Sequence, residues 1–301
     1  MKHEPITATE KRNPRTAAID TLSALEIITL INDEDAKVAA AVKQELPHIA
    51  RAVDVIVARL KRGGRLLYFG AGTSGRMGVL DASEIPPTYN TPPEMVQGFI
   101  AGGENALRQS AEAAEDDAKA GAALVQSLKV EKNDAVVGIA ASGNTPWALG
   151  VIAEAKARGA ATIGLSCNPG SKLTQAADIV IAPVVGPEVI AGSSRMKAGT
   201  AQKMALNMLS TASMVQLGKV YGNLMVDVRP TNAKLRRRAR RILQEAADVD
   251  AKTARQTLEA TGYQVKPALV MLLTGASFEN AQQLLDRNDG SVRQATDSKS
   301  S

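Results

Sequence analysis

The chain has 301 residues, room for one large α/β domain and a smaller one. It is 45% hydrophobic but only 3% aromatic, so Ala, Val, Leu, Ile and Met must build a core of packed helices and buried parallel strands. A net charge of +5 suits a small anion as well as nucleic acid, while one cysteine (Cys167) and two histidines (His3, His48) argue against a disulfide framework or a zinc site.

Met1 to Arg15 is polar and lacks the apolar centre of a signal peptide, and residues 1–16 read as a flexible arm. No apolar run reaches the ~20 residues that span a bilayer. The expectation is a cytoplasmic protein without membrane contact. Helices are expected over Ala17–Leu30 and Ala36–Leu60, the second ending at Gly63-Gly64. Strands then alternate with helices. The strand candidates are Leu66–Phe69, Val96–Ile100, Ala135–Ala140, Ala161–Leu165 and Ile179–Ala182, with helices over 75–84, 104–128 and 146–158. This alternation predicts an open parallel sheet, whose ligands sit beyond the carboxyl ends of its strands. Cys167, after the run Ile163–Leu165, reads as a small core residue.

The first strand runs into Gly70-Ala-Gly-Thr-Ser-Gly75 and then a helix. Free N–H groups and the positive helix end make such a turn an anion cradle, to which Thr73 and Ser74 add hydroxyls. It is neither a Walker loop nor Gly-x-Gly-x-x-Gly. An ordinary strand-to-helix turn fits the same residues. A second turn, Ala141-Ser-Gly-Asn-Thr145, follows the third strand and precedes Pro146, where capping hydroxyls belong. Two such turns on one sheet edge favour the anion reading. Ser193 and Ser194 read as the start of a further helix, running to about Leu217, whose first-turn cations Arg195 and Lys197 face an anion or a carboxylate.

Beyond the connector Tyr221–Pro230, Leu235, Ala239, Ile242, Leu243 and Ala246 share one helix face. The arginines of Arg236–Arg241 are left as a solvated face, with no nucleic-acid role expected. Three short helices follow, Ala251–Thr261, Val265–Thr274 and Ser277–Asp286.

Two carboxylates stand out: Glu84, at the end of the helix after the first turn, and Glu115, on the helix after the second strand. Pro86 and Pro87 are expected to stop the first of these helices. Spacing alone leaves both as surface glutamates.

Three motifs resemble the sugar isomerase (SIS) fold: Gly-Ala-Gly-Thr-Ser-Gly-Arg at 70–76, Ala-Ser-Gly-Asn-Thr-Pro at 141–146 and Gly-Ser-Ser-Arg-Met-Lys-Ala-Gly-Thr at 192–200. Four more narrow the resemblance to the N-acetylmuramic acid 6-phosphate etherase family. They are Leu-Asp-Ala-Ser-Glu-Ile-Pro-Pro-Thr-Tyr at 80–89, Ile-Ala-Gly-Gly-Glu at 100–104, Ser-Cys-Asn-Pro-Gly-Ser at 166–171 and Gly-Asn-Leu-Met-Val-Asp at 222–227. The resemblance runs from about Ile31 to the C-terminus. Asn144 departs from the arginine expected at its position, which removes a cation from the phosphate contacts but leaves the backbone and hydroxyls.

The resemblance implies an α/β SIS-type open sheet over 55–230, N-terminal helices over 1–54 and a small UBA-like helical domain over 231–301. It implies cleavage of the lactyl ether of N-acetylmuramic acid 6-phosphate to N-acetylglucosamine 6-phosphate and D-lactate, in amino sugar catabolism and peptidoglycan recycling, without cofactor or metal. By the family's motifs Glu84 is the acid and Glu115 the base. The sugar phosphate is held by Gly72, Thr73, Ser74 and Gly75, by Ser142, Gly143, Asn144 and Thr145, and by Ser193, Ser194, Arg195 and Lys197. Glu84 lies ten positions after Ser74, ~15 Å along a straight helix. Either that helix breaks near Gly75 and Gly78, or Glu84 serves a partner's phosphate site; a homodimer with interfacial sites is the preferred reading. A sugar-phosphate sensor and an aldose–ketose phosphate isomerase are the alternatives on the same fold.

Overall fold

A computed structural model describes residues 7–109, 111–228 and 230–297; His3 and Arg229 lie outside them. The chain forms two compact units, Met1–Ser83 with Glu94–Ser210, and Glu84–Pro93 with Thr211–Ser301.

The first unit is built on a five-stranded, wholly parallel sheet: β1 (Leu66–Gly70), β2 (Val96–Ile100), β3 (Ala135–Ile139), β4 (Ala161–Leu165) and β5 (Ile179–Ile181), in the order β2-β1-β3-β4-β5. Every expected strand is present, within a residue or two. Strands β1, β3 and β4 are buried along their whole length, the reason they read as unbroken apolar runs. Under their carboxyl ends Phe69 stacks on Phe99 at 5.0 Å and tilts against Trp147 at 6.1 Å. A fully buried Phe69 contributes roughly 1.5–3 kcal/mol relative to exposure, which makes this a stiff floor beneath the loops.

Helices depart further from expectation than strands. Helix α1 covers Ala24–Asp35 rather than 17–30, because Ser23 starts it: the Ser23 N–H and hydroxyl both donate to Glu26, at 2.8 and 2.6 Å. The stretch 36–60 is two helices, α2 (Val38–Gln44) and α3 (Leu46–Leu60), divided at Glu45 where Pro47 enters the first turn of the second. Helix α4 runs unbroken from Gly72 to Tyr89, through both Pro86 and Pro87. The prolines remove two N–H donors, yet the Asn90 N–H still closes on Pro86 O at 2.9 Å, and Asn90, at φ 51, ends the helix. Residues 104–128 hold only one α-helix, α5 (Ala118–Ser127), capped by the Asp117 carboxylate on Ala120 N; short 3₁₀ turns occupy Glu104–Leu107 and Glu112–Asp116. Helices α6 (Pro146–Ala157), α7 (Lys172–Ala176) and α8 (Lys197–Gln216) follow.

From Thr7 onward the N-terminal arm is anchored rather than flexible. Ala8 N donates to Asn168, Asn168 to Thr9, Asn13 to Pro187 O, and Thr16 to Val189 O.

The second unit packs α9 (Ala233–Ala247), α10 (Ala251–Ala260), α11 (Val265–Thr274), α12 (Phe278–Arg287) and α13 (Val292–Asp297) around Val226, Val228 and the buried faces of those helices. Ala239, Ile242 and Leu243 face that core as expected, with Leu235 and Ala246 partly buried beside them. Side chains of Asn232, Asp250 and Ser277 cap α9, α10 and α12. Helix α13 has no counterpart in the sequence reading. Among the described residues no helix is long and apolar enough to cross a membrane.

Candidate active site

The strand order locates the site. From β1 the chain crosses through α4 to β2 on one side, and from β3 through α6 to β4 on the other. Crossovers therefore diverge between β1 and β3, whose last residues Gly70 and Ile139 are in register. A crevice beyond the carboxyl ends of such a pair is where open α/β sheets bind ligands. The turns at 71–75 and 141–145 flank it.

Helix α4 begins inside the glycine turn. Its first intrahelical bond is Gly75 N to Ala71 O, so the N–H groups of Gly72, Thr73 and Ser74 have no partner within the helix. Gly72 sits at φ 50, a left-handed conformation. A Cβ there would stand 3.0 Å from Glu115 Oε1, so the Glu115 carboxylate lies directly against the start of α4. Gly75 is required by space: a Cβ would come within 2.6 Å of Gly70 O and of Ile100 Cγ1.

Glu115 reaches this position from the 3₁₀ turn Glu112–Asp116, not from a helix. Burial pushes its carboxyl above the ordinary range, and the charges of Asp116 and Glu112 push the same way, against Arg76. Arg76, one turn into α4, donates to the carbonyls of Ala106 at 2.7 Å and Leu107 at 3.0 Å and so ties the preceding loop to the same helix. Thr73 is half-buried with its Cγ2 3.2 Å from where a Cβ on Gly199 would stand, which brings the first turn against the start of α8. The Ser74 hydroxyl, expected to meet a phosphate, points inward instead and hydrogen-bonds Gln202 Oε1 at 2.9 Å. Only its backbone N–H is left to the cradle.

In the second turn Ser142 Oγ accepts from Asn144 N at 3.2 Å, and Asn144 Oδ1 accepts from Lys172 N at 3.2 Å. Asn144 therefore joins the turn to the start of α7. Thr145 is the N-cap of α6 but makes no side-chain capping bond. Asn168 Nδ2 donates to Ala141 O at 2.8 Å, holding the turn from behind.

The third segment differs from expectation. Ser193 and Ser194 are half-buried loop residues; α8 starts later, at Lys197. Its first N–H groups, Lys197 N and Ala198 N, are taken by the buried carboxylate of Glu188 at 3.0 and 2.9 Å. Burial pushes the Glu188 carboxyl up, although these two N–H groups pull it down. Lys197 itself is 1% exposed and its ammonium is paired with Glu34 at 2.6 Å. Its anion is thus a carboxylate of the chain, and it is not available to a substrate. Arg195 is exposed.

Residues 48–156 match the family model for the Glucokinase regulatory protein N-terminal SIS domain, and residues 117–212 match the SIS domain. The chain is 57% identical over 289 residues to the N-acetylmuramic acid 6-phosphate etherase of Edwardsiella ictaluri, covering 96% of each chain. It is 54% identical over 288 residues to that of Aeromonas hydrophila, covering 96% of this chain and 97% of the relative. The chain belongs to the N-acetylmuramic acid 6-phosphate etherase family.

Within this etherase-family chain, the unit Met1–Ser83 with Glu94–Ser210 brings together Gly72, Thr73 and Glu115 around the start of α4, and sets the turn 142–145 beside them by strand register. Glu84 is exposed on α4, ten residues beyond Ser74. Because that helix is unbroken, the separation along it is ~15 Å. Sequence reading missed Glu188, Glu34 and Gln202. Each acts on a residue far away in the chain, and no local pattern marks such a partner. Cys167 is fully buried as expected, its thiol pushed up to about 12 by burial and by the charge of Glu188.

Proposed function

We propose that the crevice between β1 and β3 carries out the etherase reaction. The N–H groups at the start of α4, with Thr73, the turn 142–145 and Ser193-Ser194, hold the 6-phosphate of ring-opened N-acetylmuramic acid 6-phosphate. The ionised Glu115 removes the C2 proton, which is acidic because C2 adjoins the C1 aldehyde. The C–H electrons form the C2–C3 double bond as the C3–O bond breaks, and Glu84, as the general acid, gives a proton to the departing lactyl oxygen. Water then adds across the double bond, a proton to C2 and hydroxyl to C3, giving N-acetylglucosamine 6-phosphate and D-lactate.

The observation that carries this reading is the Glu115 carboxylate against Gly72, a base beside an anion cradle at the switch point of the sheet. The continuous α4 between Ser74 and Glu84 supports the reading in which Glu84 acts on a partner's phosphate turn. In this reading Glu84 serves the cradle of a partner in a homodimer.

Release of D-lactate from N-acetylmuramic acid 6-phosphate tests the activity. Binding without release would point to a sensor, and interconversion of aldose and ketose phosphates to an isomerase. Mixing inactive Glu84→Gln protein with an inactive Thr73/Gly72 variant tests the shared site: recovered activity is expected, and none in proven mixed dimers overturns it.

A further inference from the structure

The second unit carries a basic concavity that this reaction does not use. On α9, Arg236, Arg237 and Arg240 lie within about one turn; with Arg255 of α10 and Tyr263 they line a cavity of 270 Å³ that has no carboxylate in its wall. Like charges three and four apart on a helix repel, so the cluster is unfavourable unless something answers it. Arg236 lies 5.0 Å over the ring of Tyr263, which holds a left-handed backbone at φ 64, a conformation costly for a bulky residue.

Other arginines of the run are accounted for. Arg241 pairs with Glu245 at 3.3 Å, and Arg238 turns to Met225 Sδ at 3.6 Å. Arg255 has a long, exposed contact with Glu259 at 3.8 Å. Arg237 and Arg240 make no ion pair with the described residues. An adjoining cavity of 880 Å³ shares Arg236 and Tyr263 and adds Lys266, which divides a single Asp227 oxygen with Lys219 at 2.9 and 2.8 Å. Asp227 and Asp286 answer the cations in that wall, so the uncompensated charge is confined to the smaller hollow.

We propose that this concavity is a second anion site, taking the phosphate group of a small phosphorylated metabolite. Planar guanidinium forks converging on one hollow suit bidentate grip of a single phosphoryl group. A polynucleotide would call for cations tracking along a surface, whereas Arg241, the run's outlying arginine, is already paired.

Hydrogen–deuterium exchange of the full chain with inorganic phosphate and with pyrophosphate tests it. Saturable protection of 233–241 and 251–263 is expected, separate from any protection at 71–76 in the cradle. In Arg237→Ala/Arg240→Ala that protection is lost while D-lactate release continues at the parent rate. Arg237→Lys/Arg240→Lys, which keeps the charge but not the forks, weakens binding at least about tenfold. Absence of protection over 233–263, or equal protection in the alanine variant, overturns the site. An oligonucleotide protecting the same helices at concentrations far below those of pyrophosphate overturns the small-molecule class.

Discussion

Two helices of the same unit start alike in sequence and differently in structure. Both α4 and α8 follow a loop of glycine and hydroxyl residues, and both read as anion sites. At α4 the first N–H groups are left without an intrahelical partner and a carboxylate, Glu115, stands beside them, its affinity for protons raised by burial. At α8 the chain has already supplied the anion: Glu188 occupies the N–H groups and Glu34 neutralises Lys197. A helix start is a binding site only where the fold leaves it vacant. On the proposed function the first serves chemistry, while the second is closed by Glu188 and Glu34.

Substitutions that separate these roles sharpen the contrast, and the largest effect belongs to the open end. Glu115→Gln is expected to lower the rate of D-lactate release by about 10²–10⁴-fold, the usual worth of a positioned base. Its melting temperature should stay at or slightly above that of the parent, since a half-buried charge is removed. Exchange of the C2 proton with solvent deuterium should stop with it; exchange at the parent rate would remove Glu115 from the base role.

At the closed end the expected loss is stability. Glu34→Gln leaves the buried Lys197 without its carboxylate, a change that costs roughly 3–5 kcal/mol, read as a fall in the denaturant midpoint. The KM of whatever protein remains folded should be near the parent's. Were Glu34→Gln to fold normally and lose only substrate affinity, Lys197 would belong to the cradle after all.

The sheet was legible because buried parallel strands leave unbroken apolar runs, and β1 to β5 fall where those runs are. The first turn was legible because Gly72 and Gly75 answer local demands, a positive φ and a close approach. Helix limits were less so: Ser23 with Glu26 moved α1, and α4 runs through Pro86 and Pro87 to close at Asn90, whose N–H still reaches Pro86 O. That Lys197 faces an anion or a carboxylate was legible from its place near the helix start, but its partner Glu34 and the inward turn of Ser74 were not. Gln202 and Glu34 lie 128 and 163 positions from their partners, and only the fold brings them together.

A smaller effect is expected from the link between the two helices. Ser74→Ala removes the hydroxyl bond to buried Gln202, worth about 0.5–1.5 kcal/mol. If the cradle uses only the Ser74 N–H, stability falls by that amount and KM for the sugar phosphate changes little. A rise in KM of tenfold or more would mean the hydroxyl leaves Gln202 to meet the phosphate, a rearrangement on binding.

The smallest effect at neutral pH, and the one that distinguishes the two ends by sign, is their response to acid. Glu34 is held at about 2, from an ordinary 4.5: burial alone would raise it, but hydrogen bonds from Lys197, Lys37 and Arg15 prevail. A lowered carboxylate contributes stability that is whole above the unfolded value and is lost as pH falls through the folded one. The parent should therefore lose stability between about pH 4.5 and 2 more steeply than Glu34→Gln, which has no such proton to take up. Glu115 has the opposite sign. Its raised carboxyl favours the protonated folded state, so acid costs no stability there and instead removes the base. Activity should fall with an acidic limb above the ordinary glutamate range while the fold is still intact. Parallel loss of activity and structure in one pH window would show that the closed end, not the open one, sets the acid limit.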